Sequence, residues 1–226
     1  AADGPAKPAK IDAQLAFDPL PMAPLLARLQ PGFGWGGDLT VGGRFEAHSE
    51  GGLSANLVLE RGRGDLTVTD EISTQSLGLT NLRLAVNATS GVWTFSQYLN
   101  GTTLGVLAGA VVVRTSPEVL WPTADATMEG AAELNVANLG AWGTWVPTGW
   151  RLGGQMKTSA VFGGRFGAPE INGSIQGNAL SVRNFLEGVN ISEGDVLISL
   201  QGDMARIKRF TAKGGAGSLS IEGAAS

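Results

Sequence analysis

Strict alternation of apolar and polar residues narrows most what this chain can fold into. From Asp38 onward, run after run places apolar side chains two residues apart, the period of a strand buried on one face. In "GGDLTVGGRFEA", Leu39, Val41, Gly43, Phe45 and Ala47 share one face, while Asp38, Thr40, Arg44 and Glu46 share the other. "LSANLVLE" aligns Leu53, Ala55, Leu57 and Leu59, "GDLTVTD" adds Leu66 and Val68, and "NLRLAVNA" aligns Leu82, Leu84, Val86 and Ala88. Further on, Met128, Ala132, Leu134 and Val136 alternate, as do Ile171 with Ile175 and Val196, Ile198 and Leu200. Between these runs stand "EGG", "RGRGD", "ATSG", "LNGT", "GGRFGAPE", "SEGD" and "QGD", whose Gly, Asn and Asp suit chain reversal. A spacing of about 8 to 12 residues leaves room for about 16 short strands, an all-β chain.

Two stretches interrupt the alternation and resemble each other. "FDPLPMAPLLARLQPGFGWGG" and "LNVANLGAWGTWVPTGWRLGG" each run from a strand into a Leu-led segment, then Pro, a Gly-Trp pair and a Gly-Gly that opens the next strand. Leu25, Leu26 and Leu29, and Leu139, Trp142 and Trp145, fit short helices. The recurrence predicts an internal repeat of about 115 residues. Residues 1–10 read as a linker or boundary segment, and 11–226 as a single elongated β domain with two related halves, about 11–126 and 127–226.

Composition excludes several chemistries. Lys and Arg total 16 against 20 Asp and Glu, for a net charge of -4, so no basic field exists for nucleic acid. With no Cys and one His, disulfides, thiol nucleophiles and multi-His metal sites are absent. "GFGWGG" matches a nucleotide fingerprint, but a helix precedes it and a strand follows, the reverse of the order a pyrophosphate cradle needs. His48, beside Glu46 and Ser49, reads as a solvated turn residue rather than part of a triad. The sequons at Asn87, Asn100, Asn172 and Asn190 read as turn asparagines. The chain is expected to be non-catalytic, with no cofactor and no metal.

In the second half, the order of a Pro-x-Gly-Trp opening, an "L-x-G" strand, "G-x-x-x-x-P-x-x-x-G", "G-V-x-I-x-x-G", "L-x-G-D-x-x-R-I" and "GGxGxLxxxG" resembles the C-terminal domain of the TamB family. These are translocation and assembly module subunits within the larger AsmA-like group. "RGRGDLTV", "LGLTNLRLAV" and "LNGTTLGVLAGAVVVR" extend the resemblance over most of residues 11–226. It implies a partly rolled β-sheet, open along one side like a taco, with an apolar inside. It also implies a periplasmic module of a Gram-negative cell, in a protein held in the inner membrane by an N-terminal helix. The implied partners are the outer-membrane barrel TamA, phospholipid acyl chains and nascent outer-membrane β-barrel proteins.

The alternation supports a related picture, since one long apolar sheet face with few amphipathic helices to cover it must fold over on itself. About 16 strands would make a trough roughly 75 Å long. Its expected lining is Leu39, Val41, Phe45, Leu57, Leu82, Leu84, Val86, Leu134, Val136, Ile175, Val196 and Ile198. A secreted adhesin or passenger-type β-solenoid is the alternative, and would show a shorter coil repeat.

Overall fold

A computed structural model describes residues 10–49, 52–69, 74–140, 142, 149–202 and 204–225, without the side chains of Phe33 and Ala225. In chain order the strands and helix are β1 (Asp12–Pro21), α1 (Ala23–Leu29), β2 (Trp35–Gly37), β3 (Thr40–His48), β4 (Ser54–Arg63), β5 (Leu66–Thr69), β6 (Thr74–Ser76) and β7 (Leu79–Thr89). β8 (Val92–Gly101), β9 (Gly105–Arg114), β10 (Thr127–Val136), β11 (Trp150–Arg165), β12 (Ala168–Asn184), β13 (Val189–Gly202), β14 (Met204–Gly214) and β15 (Gly217–Ala225) follow.

Twelve strands form one antiparallel sheet in the order β1-β3-β4-β7-β8-β9-β10-β11-β12-β13-β14-β15. β1 and β15 are its two edges and do not pair with each other, so the sheet is partly rolled but not closed into a barrel. Its curl is visible in the rings. Phe95 on β8 stacks on Phe166, just beyond β11, with centroids 6.3 Å apart, although three strand spacings would separate those positions by about 14 Å in a flat sheet. Residues 11–126 and 127–226 each contribute six strands to this sheet, with α1 after the first strand of one half and a 3-10 turn at Leu139 and Gly140 after the first strand of the other. Trp145 lies outside the described residues.

Several expectations are corrected. The described residues hold 15 strands, and only 12 join the main sheet, because β2, β5 and β6 form a separate three-stranded sheet. Eleven spacings measure about 53 Å across the strands, shorter than the length expected for 16. "SEGD" is not a turn: Ser192–Asp195 lies inside β13, where Glu193 takes a φ of 49° at a bulge. A bulge and a turn draw on the same residues because both need positive φ. The four sequon asparagines sit in strands β7, β8, β12 and β13 rather than in turns.

α1 follows from Pro24 in its first turn and is stopped by Pro31, with the Gln30 N–H donating to the Leu26 carbonyl at 2.8 Å. Its inward face is Met22, Ala23 and Leu26. Leu25 and Leu29 point to solvent, a rotation of the face expected from Leu spacing alone. With the small sheet, α1 covers one end of the main sheet in a core of Ala23, Leu39, Val41, Leu66, Leu77 and Leu79, flanked by Trp35, Leu59, Leu82 and Leu104.

Asp65 fastens this cover. Its carboxylate accepts the backbone N–H of Leu66 (2.9 Å), Gly78 (2.8 Å) and Leu79 (2.8 Å) and the Ser76 hydroxyl. Its carbonyl accepts the N–H of Asp38 and Leu39. Burial pushes the Asp65 carboxyl up, but the Ser76 hydroxyl and the N–H groups of Leu79, Gly78 and Leu66 outweigh it and hold the group below the ordinary aspartate range.

Candidate functional site

Strand register decides which side chains share a face, because directly paired residues in a ladder project to the same side. One apolar row runs Leu15, Phe45, Leu57, Val86, Phe95, Val111, Gly130, Phe162, Ile171, crossing nine strands. Two residues along each strand, a second row runs Ala13, Ala47, Ala55, Ala88, Trp93, Val113, Met128. On the other side of the first, a third runs Leu82, Leu99, Leu107, Leu134, Thr158, Ile175, Ile198, Ile207. A fourth continues as Val136, Met156, Gly177, Val196, Phe210, Ile221. The opposite face carries rows such as Gln14, Glu46, Asn56, Asn87, Thr94. It also bears the cross-strand ion pairs Arg83–Glu60 (2.8 Å), Arg114–Glu129 (2.6 Å) and Arg209–Asp195 (2.6 Å).

The residues named from sequence fall as follows. Phe45, Leu57, Leu82, Leu84, Val86, Leu134, Val136, Ile175, Val196 and Ile198 all lie in these rows or, for Leu84, in the row between the first and third, where it pairs with Leu59 and Gln97. Val41 pairs with Leu20 and Arg61 beside a β-bulge. Leu39 precedes β3 and is 1% exposed. Leu39 and Val41 are packed under α1 and the small sheet, so the protein itself fills the space beside them. Val136 is fully buried too, whereas Leu84 is 37% exposed. The remaining members are half-buried.

Leu99, Leu107, Val111, Ile207 and Ile221, which the expected lining does not include, occupy the same rows, as do Phe95, Phe162 and Phe210, aromatics that read from sequence as core fillers. The alternation around Phe95 and Leu99 is a usable signal, whereas Ile207 and Phe210, three residues apart, share a face only through the register shift at Leu197 and Ile198. "GVLAGAVVVR" gives no such signal, since small apolar residues stand on both of its faces.

The face is covered unevenly. At the end opposite α1, the segment of residues 115–126 folds over it: Trp121 meets Trp93 and Phe95 edge-on, with centroids 5.2 and 6.0 Å apart. The N–H groups of Phe166 and Gly167 tie the β11–β12 turn to the carbonyls of Ala126 and Ala124 at 2.8 and 2.7 Å. Leu53, Ala88, Trp93, Val113 and Ala126 form the core beneath. Among the described residues, both protein cores are built on the first half and β10, with Phe166 the one contribution from further on. From β11 to β15 the apolar rows belong to neither core, and Leu219 and Ile221 on β15 are exposed.

For catalysis the described residues offer little. No group of three or more His, Asp or Glu side chains comes together among them to hold a metal. His48 ends β3, with Nδ1 4.0 Å from Asp12 Oδ1 at the exposed β1 edge. In "GFGWGG", Gly34 (φ 57°) links a 3-10 turn to β2, confirming the helix-then-strand order. No helix among the described residues is long and apolar enough to cross a membrane.

The class this geometry defines is an open antiparallel meander with one continuous apolar face, over whose first half the described residues pack a second layer. No family model, curated protein or solved structure matches the chain.

Proposed function

We propose that the uncovered half of this trough shields the acyl chains of phospholipids, and that the chain is a non-catalytic module of envelope biogenesis of the TamB kind. The observation that carries the reading is the pair of apolar rows on β11 to β14, among them Ile175, Ile198 and Ile207, that share one face of an unclosed sheet and join neither protein core. Each methylene moved from water into such a face gains about 0.8 kcal/mol, so a diacyl lipid is held without a polar recognition site. On this reading the module works in the periplasm of a Gram-negative cell, between the inner and outer membranes, with TamA as its outer-membrane partner.

The composition of the two sheet edges among the described residues supports the second part of the proposal, help in β-barrel assembly. β1 carries Pro19 and Pro21, which block strand addition, whereas β15, "GSLSIEGAA", has no Pro and one charged residue. A nascent barrel strand or an edge of TamA pairs there by β-augmentation. A β-solenoid would stack parallel coils, and every ladder among the described residues is antiparallel, most of them between sequence neighbours.

The test is extraction of the purified protein with organic solvent followed by mass spectrometry, alongside binding of a fluorescent acyl probe. Phospholipid should co-purify, and the paired substitution Ile175→Glu with Ile198→Glu should lower probe affinity at least about tenfold by placing charge in the apolar row. A protein free of lipid whose probe binding ignores those changes refutes the reading.

A further inference from the structure

The turn between β12 and β13 holds the two most exposed large apolar side chains of the described residues, Phe185 at 80% and Leu186 at 92%. This tip is built, not loose. Asn184 is 3% exposed, and its Oδ1 accepts the N–H groups of Leu186 (3.0 Å) and Glu187 (3.2 Å), an Asx turn closed by Gly188 at a φ of 69°. The tip also stands clear of β10. That strand ends at Val136 opposite Met156, while β11 continues six residues further to Trp150, about 20 Å of extended chain.

A second, independent feature lies directly behind the tip. Arg151 is the cross-strand partner of Arg183, two residues before Phe185, and both are exposed. Like charges directly opposite in a ladder destabilise it, and among the described residues neither guanidinium has a carboxylate within ion-pair distance. Glu187 is the one acidic side chain of the turn, so the tip and the arginine pair together remain cationic. An anion seated between the guanidiniums removes the repulsion.

We propose that this hairpin is a membrane anchor: Phe185 and Leu186 enter the acyl region of a bilayer while Arg151 and Arg183 bind the phosphates of anionic lipid headgroups. The order of chemistry along the hairpin, apolar tip first and cations one step behind, is the order a membrane surface presents in reverse. A protein partner fits less well. Two side chains on a convex tip cannot supply the roughly 800 Å² per side of a stable interface, whereas fluid lipid closes around a convex tip from every direction. The inference stands whether or not the trough holds lipid.

The experiment is flotation of the intact chain with vesicles of phosphatidylcholine alone or with about a third phosphatidylglycerol. Wild type should bind the anionic vesicles about 30-fold more tightly than the neutral ones. The pair Arg151→Gln and Arg183→Gln should abolish that preference, and Phe185→Ser with Leu186→Ser should weaken binding at least about 30-fold. The serine pair should leave uptake of the acyl probe by the trough unchanged, which separates this inference from the proposed function. Leu186→Trp in the otherwise unchanged chain should be quenched by brominated acyl chains. Vesicle binding unaltered by the serine pair, an unquenched Trp, or a lipid-free dimer that the serine pair dissolves would each overturn the proposal.

Discussion

Replacing Asp65 by Ala tests whether the cover over the first half is fastened by one carboxylate. The substitution leaves the N–H groups of Leu66, Gly78 and Leu79 without their acceptor and frees the Ser76 hydroxyl. A hydrogen bond to a charged acceptor contributes about 1.5–3 kcal/mol. Asp65 is only partly buried, so water replaces much of each lost bond, and the net loss should be about 2–4 kcal/mol. The loss is local, because Asp65 binds no residue of β11 to β15. Hydrogen exchange read by mass spectrometry should therefore speed up about 30- to 700-fold in peptides of β5, β6 and the start of β7. Peptides of β11 to β14 should keep their protection. The pH dependence has a definite sign. A carboxyl whose folded-state pKa is depressed stabilises the fold above its unfolded pKa and loses that contribution as pH falls through the folded value. Protection of the cover should thus decline below about pH 4 in the wild type, and Asp65→Ala should lack that decline. Equal acceleration in both halves, or none in the cover, refutes the argument.

Trp93 is 5% exposed and meets Trp121 edge-on, so Trp93→Ala should cost about 3–5 kcal/mol, seen as a lower urea midpoint for the first half. Gly34→Ala puts a Cβ against the Thr69 carbonyl at a φ of 57°, and should destabilise by at least about 1–2 kcal/mol in the same assay. The Arg209–Asp195 pair is largely solvated, so Arg209→Ala should change stability by less than about 1 kcal/mol, with a salt dependence too small to move the midpoint appreciably.

Alternation carries the strand content, and it carries the face wherever polar residues mark the other side. Arg83 and Asn87 make Leu82, Leu84 and Val86 legible as one face, and the ladders place them together. "GVLAGAVVVR" offers no such marker, and only its register against β8 and β10 puts Val111 and Val113 inside. Periodicity is also silent on which sheet a strand joins. Leu66 and Val68 alternate like any main-sheet pair, yet they belong to the small sheet that covers the trough. Asp65 was hidden for a different reason. Its partners Ser76, Gly78 and Leu79 are 11 to 14 residues away, beyond the reach of any local pattern. "RGRGD" announces a turn, but nothing in it announces a clamp.

The scarcity of charge, 16% of residues, follows from how the two halves use one apolar face. In the first half, α1, the small sheet and the segment of residues 115–126 supply a second layer, so Leu39, Val113 and Trp93 are buried as in any core. In the second half, β11 to β13 run 14 to 17 residues, longer than any strand of the first half, without a second layer of comparable extent among the described residues. Glycine helps in both places: Gly43 lets the Phe17 ring and Leu59 lie close over the sheet, and Gly177 does the same for Leu180 and Val196. A sheet whose long strands carry aliphatic rows but no covering layer is stable in water only if the rows meet one another across the curl or meet something else. Burying such a row is worth about 25 cal/mol per Å², so an occupant of the open half must raise its stability. The second half should therefore melt at a higher temperature with acyl probe present, by an increment that grows with the logarithm of probe concentration, while exchange in β5 and β6 stays where it was. An increment that appears in the covered half instead would place the ligand outside the trough.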